Sequence, residues 1–125
     1  MSEKKRALVV DDDDPIRTML KKIVERQDLE VETARDGAEA IERLDAPNYD
    51  VIVLDLMMPK VDGFGVLKYI QEHYPERLGC TIIASAVPEN EILRRFGIPV
   101  YRIHAKPFDI PTLIEDIHRC TRPAA

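Results

Sequence analysis

The sequence is poor in cysteine, has no long apolar run and carries no excess of basic charge, and each shortage removes a class of function. The two cysteines, Cys80 and Cys120, have no metal-ligand spacing and are expected to be reduced, buried packing thiols. No stretch approaches the roughly 18 apolar residues that span a bilayer. The opening MSEKKRALVV has no apolar segment long enough for a signal peptide. A cytoplasmic protein that does not insert into membranes is therefore expected. Lysine and arginine number 18 against 23 acidic residues, for a formal net charge of -5. A nucleic-acid surface wants a clustered basic face, so no direct nucleic-acid binding is expected. What is present suits a soluble globular protein, with 45% hydrophobic and 33% charged residues. A length of 125 residues buries a real core but leaves little room for a second one, so residues 1–125 are expected to form a single domain.

Two periodicities alternate along the chain. ALVV (7–10), VIVL (51–54) and TIIA (81–84) are short unbroken apolar runs, as in parallel strands covered on both faces. LEVET (29–33) alternates instead and reads as an edge strand, and VYRIHA (100–105) is a weaker fifth. Between them, Ile16, Met19, Leu20, Ile23 and Val24 follow one helix face, as do Ile110, Leu113, Ile114 and Ile117. Shorter helical patterns surround Ala40-Ile41-Leu44, Val66-Leu67-Ile70 and Ile92-Leu93-Phe96. The expected fold is α/β: a five-stranded parallel sheet with helices on both faces, a doubly wound (βα)5 unit.

In such sheets the functional crevice lies beyond the carboxyl ends of the strands. Asp11 to Asp14 leave the first strand, Asp55 ends VIVLD, Ser85 ends TIIAS and Lys106 follows the fifth strand. Asp14, just before Pro15, is expected to cap the first helix, and Asp13 to be merely solvated. Asp11 and Asp12 are then left for the crevice, where Asp55 adds a third carboxylate. Two like charges about 4 Å apart repel by about 1 kcal/mol in water and about 4 kcal/mol at an effective dielectric of 20. Such a cluster calls for a cation or for raised pKa values. Hard oxygen ligands with open positions suit Mg²⁺. The plain alternative is an acidic loop neutralised by Lys106 alone. Taken singly, Asp55 is also a strand-end turn residue, Ser85 a satisfied hydroxyl and Lys106 a structural counter-ion.

VVDDDDPIR (9–17), YDVIVLDLMMPKVDG (49–63), IIASA (82–86) and AKPF (105–108) together resemble, in order and spacing, the receiver domain of two-component response regulators. The resemblance covers nearly the whole chain and implies a flavodoxin-like doubly wound sheet with strand order 2-1-3-4-5. It implies that Asp55 is the phosphoacceptor, that Asp12 and Asp55 bind Mg²⁺ directly and Asp11 largely through water, and that the Met57 backbone carbonyl is a further ligand. It also implies that Ser85 is the hydroxyl switch and that Lys106, followed by a cis Pro107, binds the phosphoryl group. The partners implied are a sensor histidine kinase or histidine phosphotransfer protein upstream and an unknown protein target downstream. The chain is expected to be a stand-alone, chemotaxis-regulator-like receiver, catalysing only its own Mg²⁺-dependent phosphorylation and dephosphorylation. The alternative is a receiver-like interaction module that no longer uses phosphate.

Two rivals of other classes fare worse. A flavin or nucleotide binder wants a Gly/Ser/Thr-rich cradle after the first strand, where four aspartates would repel a phosphate. A phosphatase with an aspartyl-phosphate intermediate wants a second acid two residues after the nucleophile, where Met57 stands. Met58-Pro59 with Asp62-Gly63 reads as a loop before the third helix, in which Gly63 can take positive φ. Asp109 is expected to cap the last helix, and Arg94-Arg95 to be a solvated face. His73, His104 and His118 have no acid or nucleophile at useful spacing. One position departs from the family pattern: three residues before the lysine, where Tyr or Phe is usual, stands Ile103, stiff at χ1. The switch is then expected to travel through the backbone of the Ala86 to Asn90 loop and the helix bearing Ile92 and Phe96. Tyr101, two residues earlier, is expected on the same face as Ile103.

Overall fold

Five strands form one parallel sheet in the order β2-β1-β3-β4-β5. A computed structural model describes residues 5–45, 49–56, 62–97, 99–106 and 109–121. In chain order the elements are β1 (Lys5–Val10), α1 (Asp14–Glu25), β2 (Leu29–Ala34), α2 (Gly37–Leu44), β3 (Val51–Leu54) and α3 (Gly63–His73), followed by a 3₁₀ segment (Pro75–Cys80), β4 (Thr81–Ser85), α4 (Glu89–Arg95), β5 (Arg102–Ala105) and α5 (Ile110–Thr121). The expected strand order and alternation of elements are therefore present. Crossovers of this length between parallel neighbours place helices on the faces of the sheet.

The sheet's pleat divides the apolar strand residues between two cores. Ala7, Val9, Val51, Val53, Ile82 and Ala84 face one side, with Leu20 and Val24 of α1 and Leu113 and Ile117 of α5. Leu8, Val10, Ile52, Leu54 and Ile83 face the other, with Ala40 and Leu44 of α2, Val66, Leu67 and Ile70 of α3, and Ile92 of α4. Both faces are dry, which is why the central strands read as unbroken runs. Edge strand β2, by contrast, has only its end residues Leu29 and Ala34 fully buried.

Several expectations need correction. The cap of α1 is Asp13, whose Oδ1 accepts the Ile16 amide at 3.0 Å, while Asp14 is already the first helical residue. Pro15 thus falls one position deeper than expected, still within the first turn where it removes no needed donor. Met19 is 40% exposed despite its apolar spacing. The 3₁₀ segment at Pro75–Cys80 carried no periodic signal, since its short turn is held by tertiary bonds. Arg77 Nη1 donates to Leu44 O at 2.9 Å and Thr81 Oγ1 donates to Arg77 O at 2.9 Å. β5 is also shorter than VYRIHA. Tyr101 precedes it and packs against the α1/α5 side, whereas Ile103 packs on the α2/α3/α4 side. The expected alternation fails because Tyr101 is outside the regular strand.

Candidate functional site

Three of the candidate residues are fixed by a backbone bond that continues the ladder one step past a strand end. Asp11 N donates to Ala34 O at 3.1 Å, Asp55 N to Val10 O at 2.9 Å, and Lys106 N to Ser85 O at 3.1 Å. The register pairs Val10 with Leu54, and Ser85 with Ala105. Residues far apart in sequence therefore emerge side by side at the carboxyl edge. The chain also returns tightly beneath this edge: Gly63 N donates to Leu56 O at 3.0 Å. A Cβ on Gly63 would lie 2.3 Å from Leu56 Cα and 2.4 Å from Asp55 O. Close approach, not the expected positive φ, requires glycine here, since no described glycine has positive φ.

Oxygen atoms of Asp11, Asp12 and Asp55 lie within 4.8 Å of one another. Asp11 is 1% exposed and Asp55 3%, whereas Asp12 is on the surface. Lys106 Nζ reaches between the buried pair, 3.1 Å from Asp11 Oδ2 and 3.4 Å from Asp55 Oδ2. Asp11 Oδ1 also accepts the Asp13 amide at 2.9 Å, and Arg17 Nη1 donates to Asp11 O at 3.0 Å. Arg17 was not anticipated, although its place one turn beyond the aspartate run was a usable signal; it also pairs with Asp14.

The electrostatics expose a conflict. Burial pushes the Asp11 carboxyl above its ordinary value, and the charge of Asp55 adds to the rise. The hydrogen bonds from Asp13 and Lys106 recover only part of it. Burial alone would pull the Lys106 ammonium down, but its bonds to Asp11 and Asp55 outweigh that, and its pKa is raised. One lysine charge thus stands against a cluster of carboxylates. Hard oxygen donors converging at this spacing, one of them exposed, fit a small divalent cation that keeps some of its waters.

Ser85 is 1% exposed, and its Oγ accepts the Val87 amide at 3.3 Å. Val87 belongs to the same core as Ile92, Phe96 and Ile103. The hydroxyl thus links the end of β4 to the start of α4. Met57 and Pro107 lie outside the described residues, as do Met58 and Pro59, so the carbonyl ligand and the cis peptide have no structural account. The histidines stand elsewhere: His104 Nε2 is 2.7 Å from Asp116 Oδ2, and His118 Nε2 is 2.7 Å from Gln27 Oε1. At the start of α5 the Asp109 carboxylate accepts the Thr112 hydroxyl and its backbone carbonyl accepts the Leu113 amide at 3.0 Å. Arg94 and Arg95 are exposed as expected, and the Arg95 guanidinium also lies over the Phe64 ring at 3.8 Å.

Comparison with known proteins places these features. The family model of the response regulator receiver domain matches residues 7–118. The alkaline phosphatase synthesis transcriptional regulatory protein PhoP of Bacillus subtilis is 44% identical over 94 residues, which cover 75% of this chain and 38% of that protein. The transcriptional regulatory protein SrrA of Staphylococcus aureus is 46% identical over 66 residues, covering 53% of this chain and 27% of that protein. This chain thus spans well under half the length of these relatives. Among solved structures, the receiver domain of the Francisella response regulator 1452 superposes with a TM-score of 0.82 at 31% identity, covering 94% of this chain and 97% of that one. Response regulator TrrA of Thermotoga maritima, in complex with Mg²⁺ and BeF, gives 0.79 at 28% identity, covering 93% and 98%.

Proposed function

The chain belongs to the response regulator receiver domain family of two-component systems, and from that premise we propose that it takes a phosphoryl group onto Asp55 with Mg²⁺ at the Asp11, Asp12 and Asp55 cluster. The observation that carries the assignment is Lys106 Nζ lying 3.1 Å from Asp11 and 3.4 Å from Asp55 beside the three clustered carboxylates. Receiver domains work with histidine kinases and downstream effectors. The donor here is a phosphohistidine of a sensor kinase or phosphotransfer protein, and we place the reaction in the cytoplasm, where ATP charges such donors. The 125 residues act as one receiver unit, a reading supported by the single continuous sheet.

Asp55 is the nucleophile, the role its match to the receiver pattern gives it; Asp11 is as buried and as firmly anchored, but its carboxylate already accepts the Asp13 amide. Its carboxylate oxygen attacks phosphorus, the P–N bond to the donor imidazole breaks, and the imidazole leaves with the electron pair and takes up a proton. Mg²⁺ supplies charge neutralisation and in-line orientation when bound. Asp12 and Asp55 would hold it directly, Asp11 largely through water, and the Met57 carbonyl would complete the protein's share. Lys106 offsets the charge developing on the transferred oxygens. Ser85 then donates its hydroxyl proton to a phosphoryl oxygen.

That turn of Ser85 is the switch. Its Oγ now accepts the Val87 amide, so moving toward the phosphoryl group releases Val87 and with it the core shared by Ile92, Phe96 and Ile103. Displacement of this loop and α4 changes the surface offered to a downstream protein. Incubation with acetyl phosphate and Mg²⁺ is expected to add one phosphoryl group by intact mass, and Asp55→Asn to abolish it. Continued modification of the variant would move the site. A native chain that accepts nothing would return the phosphate-independent interaction module.

A further inference from the structure

Away from the carboxylate edge, two thiols meet. Cys80 ends the 3₁₀ segment where the chain enters β4, and Cys120 lies in the last turn of α5. Cys120 Sγ is 4.0 Å from the Gly79 carbonyl oxygen, the peptide leading into Cys80, and 3.7 Å from Asp50 O. Cys80 Sγ is 4.0 Å from Tyr49 O, next to Asp50 in the chain, and 3.2 Å from Arg77 O. The two sulfurs thus stand over the same pair of carbonyl stretches, 49–50 and 77–79, which makes the thiols neighbours. Both residues are half-buried, so small reagents can reach them. They are the chain's whole complement of cysteine. The expectation of separate buried packing thiols missed this meeting, because 39 intervening residues give no sign that β4 and α5 converge.

We propose that Cys80 and Cys120 form a covalent modification site, a thiol pair that exchanges with small disulfides of the glutathione class and closes to an intramolecular disulfide. The Cys80 thiolate attacks one sulfur of the reagent, forming a mixed disulfide and expelling one thiolate. Cys120 loses its proton to solvent and attacks the Cys80 sulfur, forming the protein S–S bond and expelling the second thiolate. Both protein thiols are oxidised, and the reagent's disulfide is reduced to two thiols by the two electrons. Cys80 attacks first because the adjacent Cys120 thiol, aided by the positive charge of Arg77, holds its own thiol below the ordinary value, while the Cys80 thiol and burial push Cys120 up. The new bond straps the end of α5 to the entrance of β4, at the opposite end of that strand from Ser85.

The test equilibrates the full chain in buffers of stepped reduced-to-oxidised glutathione ratio, quenches in acid, alkylates and records intact mass. Expected is a single concerted transition in which both alkylation sites vanish together and the chain loses two hydrogens without retaining glutathione. Cys120→Ser is expected to trap glutathione on Cys80. A native chain that ends with glutathione on each cysteine, or that only forms disulfide-linked dimers, would overturn the proposal. Because the decisive reading is on the native chain, a poorly folded variant does not spare it.

Discussion

The two ends of the sheet treat carboxylates in opposite ways. At the amino end, Asp45 accepts the Tyr69 hydroxyl at 2.6 Å and the Tyr74 hydroxyl at 2.8 Å, and the first of these bonds does most to hold its carboxyl below the ordinary value. Arg77 lies over the Tyr74 ring at 4.1 Å and also secures Leu44 O. At the carboxyl end, Asp11 is buried beside Asp55 and its carboxyl is pushed up. One cluster is bonded by its own neighbours, whereas the other gathers three carboxylates where a cation can bind. Strain of this kind gathers at functional sites and is offset by stability elsewhere in the fold.

Substitutions at the two ends can break this contrast. The largest effect is expected from Gly63→Ala, whose Cβ would meet backbone atoms of Leu56 and Asp55 at 2.3 and 2.4 Å. A loss of about 4 kcal/mol or more, or failure to fold, should follow. Unchanged thermal unfolding would show that the turn beneath Asp55 is not close-packed. Arg77→Ala comes next, at about 2–3 kcal/mol, because it orphans Leu44 O and removes buried side-chain packing. Mg²⁺ affinity, measured by calorimetry, should be unchanged, since the site is at the other end of the sheet; a loss of affinity would couple the two ends.

Asp11→Asn should act in the reverse sense. The folded pKa of Asp11 is raised, so its ionised form opposes folding once pH rises above the unfolded value of 3.8. The metal-free variant should therefore be more stable than the native chain at pH 7, by about 1 kcal/mol. That advantage should shrink as pH falls toward 3.8. Stabilisation of the native chain by added Mg²⁺ should be lost in the variant. A variant less stable at every pH would show that the bond from Lys106 outweighs the burial.

Asp13→Ala should cost about 1 kcal/mol through loss of the α1 cap, with little change in metal affinity. An effect on Mg²⁺ equal to that of Asp12→Ala would merge the roles within the aspartate run. The smallest effect concerns Tyr69, whose phenol is pushed up to about 12 by its bond to Asp45. A raised pKa means stability present below the unfolded value of 10.0 and lost as pH rises toward about 12. Tyr69→Phe should flatten that part of the stability profile, read by denaturant unfolding across alkaline pH.

Much of the fold was legible because a sheet covered on both sides forces unbroken apolar strands, as in Val51–Leu54, and helices with one apolar face. The candidate site was legible too, because strand ends in a parallel sheet converge wherever they lie in sequence. Less legible were features that depend on a single backbone step. Asp13 and Asp14 are both chemically fit to cap α1, and only the backbone angles at Asp13, extended with φ -82 and ψ 113, choose between them. Tyr101 lost its place beside Ile103 because β5 begins one residue later.

The sequence by itself therefore determined the alternation of strands and helices and the strand-end set Asp11, Asp12, Asp55, Ser85 and Lys106, because periodicity and strand-end position are local properties of the chain. Tertiary structure alone decided that Lys106 bridges Asp11 and Asp55, that Gly63 lies against the Asp55 backbone, and that Cys80 meets Cys120. Those facts depend on distances between elements remote in sequence. Such distances are set by how the layers pack, and no local pattern encodes them.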